Sequence, residues 1–374
     1  MRVSALALCL IPGAVAADPP RVVVDIAPVH SVVAAVMHGV AEPALIVPPT
    51  ASPHGYSLRP SEARALDHAE LVVWMGPALA NWMEGPIETL GAQAEVLTLL
   101  DVPGTQLLGM REGAAFEAGH EGHDHGEHGH EEHGHEEHGH EEHGHDDTAH
   151  AKDDEHADHA DHAADKDDHS DHGHEDGHDH EDHADNADDK HDHDDHAHAH
   201  NHSAQSEGAD PHAWLDPRNA VTWADAIATQ LSNMDPENAG TYAANAVQFA
   251  KDMAAVEADI RATLASVQGR PFVVFHDAYH YFEERFGVEA VGAVSASDAA
   301  SASAGRVAEL RARIDEFGAV CALTEPQFNP GLMDAVGATK LGEIDPIGAT
   351  LTAGPDLYPA LLRNMGSSLA ECLQ

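Results

Sequence analysis

Between about Gly119 and His202 the chain is almost wholly His, Asp, Glu, Gly and Ala, opening with a five-residue repeat that runs His130-Glu131-Glu132-His133-Gly134 and recurs at 135–139 and 140–144. It contains no apolar residue larger than alanine. Nothing in it offsets the entropy of ordering a backbone, so a disordered insertion is expected. Of the 34 histidines, 27 lie here, the others being His30, His38, His54, His68, His212, His276 and His280. Imidazoles near neutral pH are mostly unprotonated and offer a lone pair. The interleaved carboxylates add oxygen ligands and a field that concentrates cations. An acidic solvated linker would not need histidine at every second or third position. The tract therefore points to a metal, zinc before others, with His130, His133, His135, His138, His140, His143 and His145 as auxiliary ligands. Lacking a scaffold, it suits a collector better than a specific site.

The formal net charge is −48, and the tract holds 31 acidic residues against Lys152, Lys166 and Lys190. Such a balance argues against nucleic acid and anionic membrane surfaces, which want basic patches, and suits a cation ligand. Outside the tract, enough of the 374 residues remain for two ordinary domains. Met1-Arg2, an apolar run from Val3 to Val15 and small residues at Ala14 and Ala16 predict a signal peptide over 1–17 and export to the periplasm. Leu8 before Cys9 argues against a lipoprotein anchor. No later stretch is long and apolar enough to span a bilayer. The exported chain keeps Cys321 and Cys372, an even number in an oxidising compartment, so they are expected to form a disulfide.

β-branched and apolar runs predict strands over 21–26, 44–47, 71–75 and 94–99, alternating with helices over 31–37, 60–69 (with Ser61 as cap) and 78–90. After the tract, a helix over 217–234 precedes a long one, with Asp235 as N-cap, Pro236 at its first position and no breaker before Gly269 apart from Gly240. At 1.5 Å per residue it would be roughly 45–50 Å long. Alternation resumes with strands over 271–275, 288–294, 320–324 and 340–344 and helices over 277–286, 305–317, 330–336 and 357–373. The expected fold is α/β, with two Rossmann-like lobes of parallel sheet joined by one long rigid helix and a metal cleft between them. The first lobe would span 18–234 with the insertion at 119–202, the linking helix 235–269 and the second lobe 270–374.

Ligands of open parallel sheets sit at the carboxyl ends of strands. His54 lies in the loop after the second strand, His212 where the tract returns, and His276 at the end of Pro271-Phe272-Val273-Val274-Phe275. A cleft between lobes could gather all three around Zn²⁺, which takes about four N, O or S ligands. The segments Pro53 to Glu62 and Ala69 to Gly76 resemble the first ligand region of ZnuA-like zinc-binding proteins, members of the periplasmic cluster that serves zinc and manganese ABC importers. Asp210 to Pro217 resembles the second region and Val274 to Tyr279 the third. Thr324 to Phe328 and Asp345 to Ala349 resemble the closing signatures. The resemblance implies His54, His212, His276 and Asp345 as zinc ligands, a membrane permease as partner and no catalysis. It also implies that manganese members carry a glutamate at the position of His276. Pro53 stands where some zinc members have an acidic residue, so Asp345, a water or a tract histidine would complete the site. His280 reads as a neighbour of the ligands, and His30, His38 and His68 as helix or helix-edge residues.

Three other functions compete with zinc capture by a monomeric carrier, one of them a manganese- or nickel-binding homologue of the same importer family. A secreted zinc hydrolase would also use three histidines and a water, but the chain lacks the His-Glu-x-x-His helix that often supplies a base. A storage protein using only the tract leaves two complete lobes unexplained. Deleting Gly119 to His202 is predicted to keep one tight site while lowering zinc stoichiometry. Because ligand histidines must be neutral, the extra zinc should leave as pH falls through about 6–6.5, before tightly held metal. Calorimetry on both proteins at two pH values checks this, and loss of the tight site on deletion would place a tract histidine in it.

Overall fold

The structure is a computed structural model and describes residues 18–111, 113, 116, 208–295, 303–319, 321–327 and 336–374. The expected signal peptide, the His-rich tract and most of the helix expected over 330–336 lie outside these residues.

Two four-stranded parallel sheets carry the fold. The first contains β1 (Val22–Val24), β2 (Ala44–Leu45), β3 (Leu71–Trp74) and β4 (Glu95–Thr98), in the order β2-β1-β3-β4. The second contains β5 (Phe272–His276), β6 (Ala290–Ser295), β7 (Cys321–Thr324) and β8 (Lys340–Glu343), in the order β6-β5-β7-β8. One topology is thus used twice: the second strand pairs on one side of the first, and the third on the other. The inner strands β1, β3, β5 and β7 are buried along their whole length. Both faces are covered, which is why they read as continuous apolar runs rather than alternating ones. The edge strands β4 and β8 expose Glu95, Lys340 and Glu343, charges that discourage further strand pairing.

The helices among the described residues are α1 (Ala27–Val36), α2 (Pro60–Asp67), α3 (Pro77–Ala80), α4 (Glu84–Thr89), α5 (Pro217–Met234), α6 (Ala239–Leu264), α7 (His280–Phe286), α8 (Ala304–Phe317) and α9 (Leu357–Leu373). Several begin or end where prolines and side chains dictate rather than where the apolar pattern suggests. The first starts at Ala27 instead of Ser31, because Pro28 fits the opening turn where its missing N–H has no role. Ser61 does not cap α2: Pro60 opens the helix, and the Arg59 N–H donates to Glu62 Oε2 at 2.7 Å. The helix expected over 78–90 is broken by a 3₁₀ turn, Asn81–Met83, because Pro86 requires a fresh first turn.

The long helix is shorter than expected. The Asp235 N–H donates to Leu231 O at 2.8 Å and so ends α5, while its carboxylate accepts from Asn238 Nδ2 and Tyr242 Oη. The 26 residues of α6 therefore begin after Asn238 and span about 39 Å. They bury Tyr242, Ala246, Phe249, Met253, Val256, Ile260 and Leu264, a stripe at three- and four-residue spacing, against α1, α5 and α9. One core runs from β1 and β3 through α6 to β5 and α9, with α6 packed against α1, α5 and α9. A smaller core under α8 holds Val273, Phe275, Val294, Leu310 and Ile314. Ser31 of α1 links the ends of the chain, donating to Pro355 O at 3.0 Å and accepting from the Tyr358 N–H at 2.9 Å.

Cys321, at the start of β7, is bonded to Cys372 of α9, pinning the last helix beneath the second sheet. β8 makes room for the bridge: a Cβ on Gly342 would lie 3.0 Å from Cys372 Sγ and 2.9 Å from Leu323 Cδ2. The bond closes a loop with a sequence separation of 51. Replacing both cysteines by alanine is predicted to cost about 4 kcal/mol through loop-closure entropy in the unfolded chain. Denaturant titration of the pair-deleted protein measures that loss, and two free thiols in the oxidised, denatured parent would show that the bond does not form.

Candidate metal centre

Each sheet has a crevice where its first and third strands carry the chain to opposite sides, the place where open α/β sheets hold ligands. In the first sheet it is closed by the protein itself. Asp25, just after β1, accepts from the Ile26 N–H at 2.8 Å and the Met75 N–H at 2.7 Å. Its carboxyl is wholly buried, which pushes its pKa to about 7 against the pull of those donors. In the second sheet the equivalent crevice contains an imidazole. His276 is the last residue of β5, Glu325 follows β7, and His276 Nδ1 lies 2.5 Å from Glu325 Oε1. The other oxygen of Glu325 accepts from Gln327 Nε2 at 2.7 Å.

Two further histidines converge on the same point. His212 is held by Asp210, whose Oδ1 accepts from the His212 backbone N–H at 3.0 Å and lies 2.7 Å from its Nδ1. Burial raises the pKa of Asp210 to about 6, against the lowering effect of the backbone N–H of His212. His54 comes from the loop after β2; Trp82 Nε1 donates to Pro53 O at 2.8 Å and Ser52 Oγ accepts from the His54 N–H at 3.2 Å. The Nε2 atoms of His54 and His212 are 3.3 Å apart, and those of His276 and His212 are 3.4 Å apart. All three histidines offer ligand atoms within 4.8 Å of one another.

These distances carry a chemical reading. A carboxylate accepts only, so Asp210 and Glu325 place a proton on Nδ1 of His212 and His276 and leave their Nε2 lone pairs facing inward. Lone pairs aimed at one point repel unless a cation lies between them. Zn–N bonds of about 2.0–2.1 Å at tetrahedral angles separate the nitrogens by about 3.3–3.4 Å. Octahedral ligands at about 2.1 Å would stand nearer 3.0 Å apart. The His54–His212 and His212–His276 spacings fit a tetrahedral ion.

Asp345 is not brought into this group. Its Oδ1 accepts from the N–H groups of Ile347 at 3.2 Å and Gly348 at 2.8 Å, and Oδ2 from that of Thr350 at 3.2 Å. The carboxylate shapes its own loop, whose Pro346 carbonyl accepts from Trp214 Nε1 at 2.8 Å. His280 also stays outside, with Nδ1 3.9 Å from Asp210 Oδ2. His30 is buried in α1 with Nε2 3.0 Å from Pro43 O, while His38 and His68 are exposed. The orienting roles of Asp210 and Glu325 escaped the sequence reading. Asp210 is detectable two residues before His212, but Glu325 is 49 residues from His276 and meets it only because β5 and β7 are neighbours.

The family described as "Zinc-uptake complex component A periplasmic" (ZnuA) matches residues 22–372. The high-affinity zinc uptake system protein ZnuA of Brucella abortus (strain 2308) is 42% identical over 364 residues, covering 96% of this chain and 94% of its own length. The periplasmic zinc-binding protein TroA from Treponema pallidum shares the fold, with a TM-score of 0.63 at 18% identity, covering 95% of this chain and 99% of its own. The solute-binding protein FpvC from Pseudomonas aeruginosa, solved in complex with Mn²⁺, has a TM-score of 0.62 at 16% identity, covering 95% and 98%.

Replacing Glu325 by Gln or Asp210 by Asn keeps the shape of each pair and removes the anion that orients its imidazole. Metal affinity is predicted to fall roughly 10–100-fold in each variant. Titration against a competing chelator reads it, and two unchanged affinities would remove the orienting role.

Proposed function

The chain belongs to the ZnuA family, and from that premise we propose that it captures Zn²⁺ in the periplasm and delivers it to the membrane permease of an ABC importer. His54, His212 and His276 are the ligands, all supplied by one chain, so a monomer suffices. The observation that carries this reading is the convergence of the three imidazoles, with the Nε2 atoms of His54 and His276 each at a tetrahedral spacing from that of His212. A fourth ligand is needed. Pro53 offers no side-chain donor and Asp345 is engaged by its loop. We assign that position to a water, the remaining candidate for a fourth oxygen ligand.

The donor set favours zinc over manganese, which prefers more oxygen ligands. Capture is also favoured over hydrolysis. A hydrolytic zinc needs a carboxylate or imidazole free to take a proton from its water. Here Glu325 is occupied by His276 and Gln327, and Asp210 by His212. The signal peptide over 1–17 supplies the periplasmic address in this reading, and no helix of the described residues is long and apolar enough to cross a membrane. Residues 18–234 and 270–374 serve as the two lobes that present the ion.

Alanine at His54, His212 or His276 is predicted to weaken the tight site at least tenfold, about 1.4 kcal/mol. Competition titration of the three variants tests it, and any histidine whose removal leaves the dissociation constant unchanged is not a ligand.

A further inference from the structure

The side chain that joins the two carriers of the site is Arg111. Its Nε donates to Asp277 Oδ1 and Oδ2 at 3.0 and 3.2 Å, its Nη1 to Glu283 Oε2 at 2.7 Å, and its Nη2 to both carboxylates. The guanidinium lies 3.8 Å from the centre of the Phe116 ring. The Arg111, Asp277 and Glu283 side chains are only 15%, 9% and 4% exposed.

Each partner belongs to the segment that leads away from His276. Asp277 follows His276 directly, and Glu283 lies in α7, which continues from it. On the other side, the residues before Arg111 pair with those before His212: Gly109 bridges Ala209, the Met110 N–H donates to Gly208 O, and the Asp210 N–H donates to Leu108 O at 2.8 Å. Tyr281 of α7 reinforces the joint, its hydroxyl accepting from the Leu108 N–H and donating to Asp210 O, both at 2.9 Å. His212 and His276 are therefore registered against each other through one buried triad. Arg111 also borders the cavity that opens on His54 and His212.

A buried ion pair roughly breaks even as a source of stability, because desolvation offsets attraction. Its two-toothed geometry, by contrast, fixes the distance and angle between the groups it joins. We propose that Arg111 is a positioning residue for the metal site, its fork setting the separation of the His212 and His276 nitrogens. The inference rests on the reading of the three histidines as the zinc site.

The test replaces Arg111 by Lys, which keeps the charge and loses the fork, and separately Glu283 by Gln, which keeps the shape and loses one anion. Zinc affinity is measured by chelator competition, zinc release by stopped-flow with excess chelator, and melting temperature with and without zinc. Arg111→Lys should bind zinc about tenfold more weakly, as for other outer groups of metal sites, mainly through faster release. The rise in melting temperature that zinc produces should shrink with it. Glu283→Gln should move both readings in the same direction by less. A merely structural arginine would lower the melting temperature equally with and without zinc and leave affinity and release unchanged, and that result overturns the proposal. A wild-type protein with no tight zinc site would overturn both readings; a tight wild-type site that neither variant alters overturns this one alone.

Discussion

The site depends on two carboxylate–imidazole hydrogen bonds, Asp210 to His212 and Glu325 to His276. An imidazole has two nitrogens, and a histidine at a strand end could point either inward. Buried anions at Nδ1 decide the matter by demanding a proton there. Flipping either ring would exchange Nδ1 for Cδ2 and leave a buried carboxylate facing a C–H group, so each ring is held in one orientation by its acid. Burial of Asp210 and Glu325, 4% and 1% exposed, makes that demand strong.

The duplicated topology explains where the pair could be built. Both sheets place a crevice between their first and third strands, and each puts an acid beside it. In the first, Asp25 turns to the backbone N–H groups of Ile26 and Met75 and seals the gap. In the second, Glu325 is one strand further along and faces an imidazole instead. The same architecture therefore yields a closed joint in one lobe and a carboxylate–imidazole pair in the other. The first lobe contributes through the loop after β2, where Trp82 secures the Pro53 carbonyl and so presents His54.

The lobes share a continuous core along α6, and polar contacts from α7 tie the second sheet to the segments around His212. Arg285, for example, pairs with Asp216, the residue that caps α5. Separating the three histidines would break packing and buried ion pairs together. The geometry thus suits a carrier that holds one ion in a preset triad.

Much of this was legible in the chain. Composition pointed to a metal through 27 histidines among 31 acids in a stretch without large apolar residues, a reading of the tract itself that lies outside the described residues. Buried strands announced themselves as unbroken β-branched runs, and α5 and α9 run over the residues the pattern marked. Cysteine count in an exported chain pointed to the disulfide. Local pattern failed where one side chain had several possible partners. Asp235 reads as the cap of a long helix, yet it terminates α5 and binds Tyr242. Asp345 reads as a ligand by resemblance, and the structure adds that its oxygens accept from N–H groups of its own loop. Glu325 lies in a segment that the resemblance marked, but nothing local paired it with His276, because that partner lies across the sheet. Sequence determined which residues could ligate a metal and which strands would be buried, since those follow from chemistry and short-range period. Only the tertiary structure decided which acids face which histidines, because that depends on strand order, and strand order is set by packing between residues far apart in the chain.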